Sequence, residues 1–132
     1  MTGEVRLTKV PTTIACFRMS AVMWNAHRVH FDEPYAMGVE GHAGLLVPAN
    51  LLASYLCEAA MAHGRVERLA FRPRSPVVAG TELTVVARQV SVESGIAELE
   101  LVVEDAAGNR PVTGSARVRL AEAKSLPEPL AR

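Results

Sequence analysis

The densest gathering of chemically capable side chains runs from Asn25 to Tyr35, where His27, Arg28, His30, Asp32, Glu33 and Pro34 lie between apolar segments. An imidazole titrates near neutrality, so His30 is a candidate general base, with a hydrogen-bonded structural histidine as the alternative. Asn25 has both donor and acceptor atoms, which suits it to hold a water or to cap a short helix. His27 sits three residues before His30 and would lie beside it in a helical turn. With Asp32 or His42 it would form a metal cluster, but cysteine partners and a HExxH pattern are missing from the sequence, and no metal is expected. Arg28 reads as a surface or salt-bridge residue.

Other reactive groups are more scattered. Glu58 falls in an apolar run and has three readings: an edge residue, a buried partner of an arginine such as Arg72, or an acid whose pKa burial has raised. His63, beside Gly64, reads as a histidine favoured by a helix C-terminus. Arg65, Arg68, Arg72 and Arg74 make a basic run that is either a solvated face or a rim attracting phosphates or an acidic protein surface. Trp24, Phe31 and Tyr55 read as core or tunnel lining.

These groups need a scaffold. Ile14 to Trp24 is apolar enough for a strand or a short buried helix, and its periodicity does not separate the two. The glycine-rich stretch Gly38 to Gly44 leads into Leu45 to His63, with Pro48 suited to a first helical turn and Gly64 to a helix end. Leu51, Leu52, Tyr55, Leu56, Ala59 and Ala60 give that helix an apolar stripe, and its remaining face carries small residues. So apolar a helix must be enclosed. The enclosing strands are read at Val66 to Phe71, Thr81 to Val92, Ile96 to Glu104 and Val112 to Leu120, separated by turn signals, as an antiparallel meander. The expected fold is α+β, a curved antiparallel sheet wrapped around one long central helix, as a single domain over residues 1–124 with a loose tail at 125–132.

Composition sets outer limits. A chain of 132 residues that is 49% hydrophobic builds one core, and 14 basic against 14 acidic side chains leave no net field for nucleic acid. Cys16 and Cys57 sit in apolar surroundings without metal or disulfide spacing, which points to reduced thiols and a cytoplasmic setting. Met1 to Pro11 alternates polar and apolar residues unlike a signal peptide, and no apolar run approaches the roughly twenty residues of a membrane span. Neither GxGxxG nor GxxxxGK[ST] occurs, so no nucleotide cofactor is expected.

The stretch Trp24-Asn25-Ala26-His27-Arg28-Val29-His30-Phe31-Asp32, followed by Pro34-Tyr35-Ala36, resembles the hot-dog-fold hydratases and dehydratases related to MaoC, in the branch carrying Asn-x-His-Arg-Ile-His-Tyr-Asp. The similarity continues through Glu40 to Val47 and more loosely from Phe71-Arg72-Pro73 to Ala79-Gly80-Thr81. It implies reversible water addition across the α,β double bond of an acyl thioester carried by coenzyme A or an acyl carrier protein. His30 would be the base. Asn25 stands where much of the family has an aspartate and would orient water. A backbone amide near Val47, Ala49 or Asn50 would polarise the thioester carbonyl, with His42 and Arg72 as further substrate-binding candidates. Where that branch shows His-Gly-Pro before the central helix, this chain has Pro48-Ala49-Asn50, and His42-Ala43 replaces a Tyr-Pro pair. The resemblance also implies a homodimer joined sheet edge to sheet edge, or a heterodimer with a related chain. Alternatives are a thioesterase using Glu58, a conjugate-addition cyclase, and a non-catalytic acyl-binding subunit.

Overall fold

The computed structural model describes residues 3–121, so the expected boundary at 124 and the tail at 125–132 lie outside the described residues. Strand β1 (Glu4–Lys9) precedes helix α1 (Thr13–Val22), which settles the ambiguous apolar run as helix. Thr12 starts α1 by accepting the Ala15 N–H at 3.0 Å. A single 3-10 turn (Arg28–His30) and the short helix α2 (Glu33–Gly38) follow. Helix α3 (Ala49–Met61) is the long apolar one. Strands β2 (Gly64–Pro73), β3 (Leu83–Glu93), β4 (Ile96–Asp105) and β5 (Val112–Leu120) complete the chain.

The sheet order is β1-β3-β4-β5-β2, antiparallel throughout. Only β3, β4 and β5 form the expected meander. The strand after the helix crosses over to pair with β5, and β1 and β2 are therefore the sheet edges among the described residues. Leu51, Leu52, Leu56, Ala59 and Ala60 of α3 pack into one core with Leu83, Val85, Leu99, Leu101, Val112 and Val118 from the sheet. Alternation along the strands sends these side chains to the helix side and their neighbours outward. The result is a hot-dog fold, with α3 lying along the concave face of the sheet.

Helix α3 begins at Ala49, four residues later than the apolar run suggests, because Pro48 serves as its N-cap. Gly64 does not end the helix; it opens β2, where a Cβ would stand 2.3 Å from the Arg119 carbonyl oxygen. For Trp24 and Phe31 the core half of the reading fails: Trp24 has a φ of 53° and is 94% exposed, and Phe31 is 41% exposed, yet both line a cavity of about 390 Å³ with Phe17 and Asn25. Cys16 is buried and Cys57 half-buried, both as free thiols, and burial pushes the Cys16 thiol up. No described helix is long and apolar enough to cross a membrane.

Leu56 is fully buried at the centre of α3. Leu56→Ala should cost about 2–5 kcal/mol, read as a lower denaturation midpoint with an unchanged denaturant slope.

Candidate active site

Three backbone segments meet just before α3. Leu46 N–H donates to Val29 O, Val47 N–H to Val77 O and Ala79 N–H to Leu45 O, each at 2.8 Å. Leu46 also bridges Val78 in antiparallel fashion. Val29, Ala36 and Leu45 form a small buried cluster at this junction. The segment carrying the histidines is thus tied to the helix entry.

His30 closes the 3-10 turn, and its ring Nδ1 donates to the Leu46 carbonyl at 2.8 Å. A carbonyl only accepts, so Nδ1 carries a proton, and in the neutral ring the lone pair is then on Nε2. Asn25 Oδ1 accepts the His27 N–H at 3.1 Å, a local turn that leaves its NH₂ group as donor. The cap reading does not hold: His27 is the N-cap residue of the 3-10 turn, without a side-chain cap bond, and Asn25 makes an Asx turn before it. The NH₂ end of the side chain is available to a ligand.

Downstream, a second set of bonds fixes the frame. Arg28 donates to Asp32 Oδ2 from Nε at 3.1 Å and Nη2 at 2.9 Å, and its guanidinium lies 4.1 Å from the Tyr35 ring centre. Asp32 Oδ1 caps α2 by accepting the Tyr35 N–H at 3.1 Å, and Tyr35 Oη donates to Glu40 Oε1 at 3.0 Å. The Arg28 hydrogen bonds, followed by the Tyr35 N–H, hold the Asp32 carboxyl below the usual carboxylate range. Glu40 pushes the Tyr35 phenol up.

His30 and Asn25 line one cleft of about 440 Å³ together with residues 46–50 at the helix entry, Leu52, and residues 73–77. Pro48 offers no N–H, and the first bonded amides of α3 are Leu51 and Leu52, both donating to Pro48 O. Ala49 and Asn50 N–H find no acceptor among the described residues. A cleft with an imidazole lone pair, a carboxamide and two unspent amides at a helix start can take a proton and stabilise a developing oxyanion.

Four expectations need correction. Val47 lines the cleft, but its N–H is committed to Val77 and does not serve a substrate carbonyl. His42 lies outside the cleft lining, with its N–H donating to Ala36 O. Arg72 is also absent from that lining; Arg74 lines the cleft instead, with Nε donating to Thr113 Oγ1 at 3.0 Å. For Glu58 the structure sets aside the buried-partner reading and keeps the edge-residue one: it pairs with Lys9 at 2.6 Å, stands half in solvent and does not line the cleft. Elsewhere, His27 meets His30 edge to face at 5.5 Å. Among the described residues no three His, Cys, Asp or Glu side chains gather as a metal site. His63 acts across the fold rather than on a helix terminus, donating from Nε2 to Ala87 O at 3.0 Å and facing Gln89 Nε2 at 3.3 Å from Nδ1.

The family model for hydroxyacyl-thioester dehydratase type 2 matches residues 2–79, a span that includes the whole cleft lining through residue 77. The chain belongs to that family. A mesaconyl-C(4)-CoA hydratase of Chloroflexus aurantiacus is 42% identical over 72 residues, which is 53% of this chain and 26% of that protein. The chain therefore spans about a quarter of the length of that relative. The solved (R)-hydratase from A. caviae involved in PHA biosynthesis superposes with a TM-score of 0.82 at 22% identity, over 89% of this chain and 94% of that one. A chain of the ChsH1-ChsH2 complex from Mycobacterium tuberculosis gives 0.73 at 16%, over 89% and 94%. At those identities the two structures support the fold, and the family match carries the relationship.

Because Asp32 titrates lower in the folded state than its unfolded value of about 3.9, its stabilisation is complete above that pH and is lost as pH falls through the folded value. Acidification below about pH 4 should loosen residues 28–40 ahead of α3. Asp32→Ala should be loose there already at neutral pH, with its acid-dependent step gone, in hydrogen exchange corrected for the intrinsic pH dependence.

Proposed function

We propose that this chain is an acyl-thioester hydratase or dehydratase, adding water to or removing it from an enoyl or 3-hydroxyacyl thioester of coenzyme A or an acyl carrier protein. The observation carrying this reading is the His30 hydrogen bond, Nδ1–H on a main-chain carbonyl, which assigns the neutral ring's lone pair to Nε2, in a cleft shared with Asn25 and two free amides. In the hydration direction Nε2 takes a proton from water as the water oxygen bonds to the β-carbon. The π electrons move onto the thioester oxygen, where the Ala49 and Asn50 N–H groups stabilise the enolate. The imidazolium, held through Nδ1–H by Leu46 O, then returns a proton to the α-carbon. Asn25 NH₂ orients the water. Dehydration is the reverse, and no metal or organic cofactor is needed for either direction.

The 42% identity to a mesaconyl-C(4)-CoA hydratase supports the substrate class. Ala49 places a methyl beside one of the proposed amide donors, so substrate approach is more restricted than at a glycine. The ion pair to Lys9 argues against Glu58 as a hydrolytic base, which weakens the thioesterase reading. A cyclase would use the same base on an internal nucleophile in place of water. We place the reaction in the cytoplasm, in keeping with two free thiols. The working unit is proposed to contain two hot-dog chains joined at sheet edges.

With enoyl- and 3-hydroxyacyl-CoA substrates followed by absorbance and mass, His30→Ala should lower turnover by about 10²–10⁴-fold with little change in thermal midpoint. Asn25→Ala should cost less, and Glu58→Ala should leave turnover unchanged. A one-water mass change that persists in His30→Ala would overturn the assignment. Release of free CoA lost in Glu58→Ala would restore the thioesterase.

A further inference from the structure

The cavity of about 390 Å³ beside Trp24 adjoins the catalytic cleft, because Asn25 lines both. Phe17, Trp24 and Phe31 give it aromatic walls, and no charged side chain lines it. Its volume equals that of about a dozen liquid waters, room for several carbons or a ring.

The way α1 ends explains why Trp24 stands there. The Trp24 N–H donates to Ala21 O at 3.2 Å and the Asn25 N–H to Ser20 O at 2.9 Å, the two bonds of a Schellman motif. The residue at its bend takes a left-handed backbone, usually a glycine's place, and here it is Trp24 with a φ of 53°. A bulky side chain in that region is strained, and such strain gathers at sites that meet a ligand. Trp24 is almost wholly exposed, so packing within the chain does not offset it.

Ser20 also lines this cavity and is 4% exposed. Its hydroxyl has no hydrogen-bond partner, not even the carbonyl one turn back that a helical serine can use. Among the described residues it is the one buried side-chain polar atom left unpaired. A buried hydroxyl without a partner is costly. A carboxylate placed in the cavity would be buried without a cation, which is costlier still.

We propose that this cavity takes the acyl tail of the substrate, and that the tail is a neutral chain of several carbons bearing a hydroxyl or keto group that bonds to Ser20. This rests on the thioester reading above and specifies its acyl group. With the thioester carbonyl at the Ala49 and Asn50 N–H groups, the tail runs past Asn25 and under Trp24, while Arg74, on the catalytic cleft, is left for the phosphates of the carrier. The Ser20 hydroxyl is closed off from solvent in the free chain and turns about its Cα–Cβ bond to meet the tail.

Trp24 is the chain's one tryptophan, so its fluorescence reports this cavity directly. Saturated thioesters have no double bond to hydrate and therefore bind without reacting. Wild type and Ser20→Ala are titrated with free CoA, acetyl-CoA, octanoyl-CoA, octanoyl-CoA ending in a carboxylate, and octanoyl-CoAs bearing a hydroxyl or keto group on one of the last three carbons. Octanoyl-CoA and its neutral polar forms should move the emission to the blue and shield Trp24 from acrylamide; CoA and acetyl-CoA, too short to pass Asn25, should not. At least one neutral polar form should bind wild type about 2–10-fold more tightly than octanoyl-CoA, as one hydrogen bond predicts, and Ser20→Ala should erase that preference. Alanine suits a helix interior and removes the unpaired hydroxyl, so this variant should fold, as circular dichroism will check. The wild-type titrations decide the occupant without it.

An equal response to acetyl-CoA and octanoyl-CoA, tightest binding of the carboxylated ester, or the absence of any preference for a neutral polar form overturns the proposal. So does a blue shift that follows protein concentration without thioester, which places a second copy over Trp24. The readout is independent of turnover. Hydration of a short enoyl-CoA at His30 beside an unresponsive tryptophan overturns the tail site alone, and a responsive tryptophan without hydration overturns the catalytic assignment alone.

Discussion

Everything in this molecule follows from the need to cover the apolar stripe of α3. Leu51, Leu52, Leu56, Ala59 and Ala60 are buried, while Asn50, Ser54, Glu58 and Met61 run along an exposed face of the same helix. A single flat sheet covers one side of such a helix, so the sheet curves and its strands present Leu83, Val85, Leu99, Leu101 and Val118 around it. Curvature also brings the turn after β2 and the segment before α3 to the same end of the helix, where Val47 and Val77 join main chain to main chain. The cleft forms at that end. Packing energy drives the arrangement, and the position of the reactive groups is its by-product.

Within that frame the chemistry depends on backbone more than on side chains. Leu46 uses both of its peptide groups: the N–H anchors the 3-10 turn through Val29, and the carbonyl fixes the His30 ring. Val47 spends its amide on the neighbouring segment, and Pro48 has none to spend. What remains open, Ala49 and Asn50, is what the sheet and the proline leave over. The donors facing the cleft are thus chosen by elimination along five consecutive residues.

Much of this was legible in the sequence. The apolar helix, the four strands after it and the crowded segment at Asn25 to Tyr35 follow from local pattern, because each depends on neighbours a few positions away. What escaped depends on distant ones. That β2 crosses to β5 is a non-local pairing with no local signature. Val47 looks as available as Ala49 until Val77 is seen opposite it. Arg72 and Arg74 differ by two positions, yet the first lies in the last residues of β2 and the second in the turn that borders the cleft. Glu58 keeps three readings until Lys9, from a strand far earlier in the chain, is seen to pair with it. Trp24 reads as core until its left-handed backbone at the end of α1 turns it outward.

The His30 contact has an evolutionary side. Many histidines are oriented by a carboxylate, which a single nucleotide change can remove or neutralise. Here the orienting atom is the carbonyl oxygen of Leu46, which every amino acid at that position would also provide. A change of side chain at position 46 therefore leaves the acceptor of the His30 Nδ1–H in place. Orientation of this ring is thereby inherited from the chain trace itself and not from the identity of the residue that supplies it.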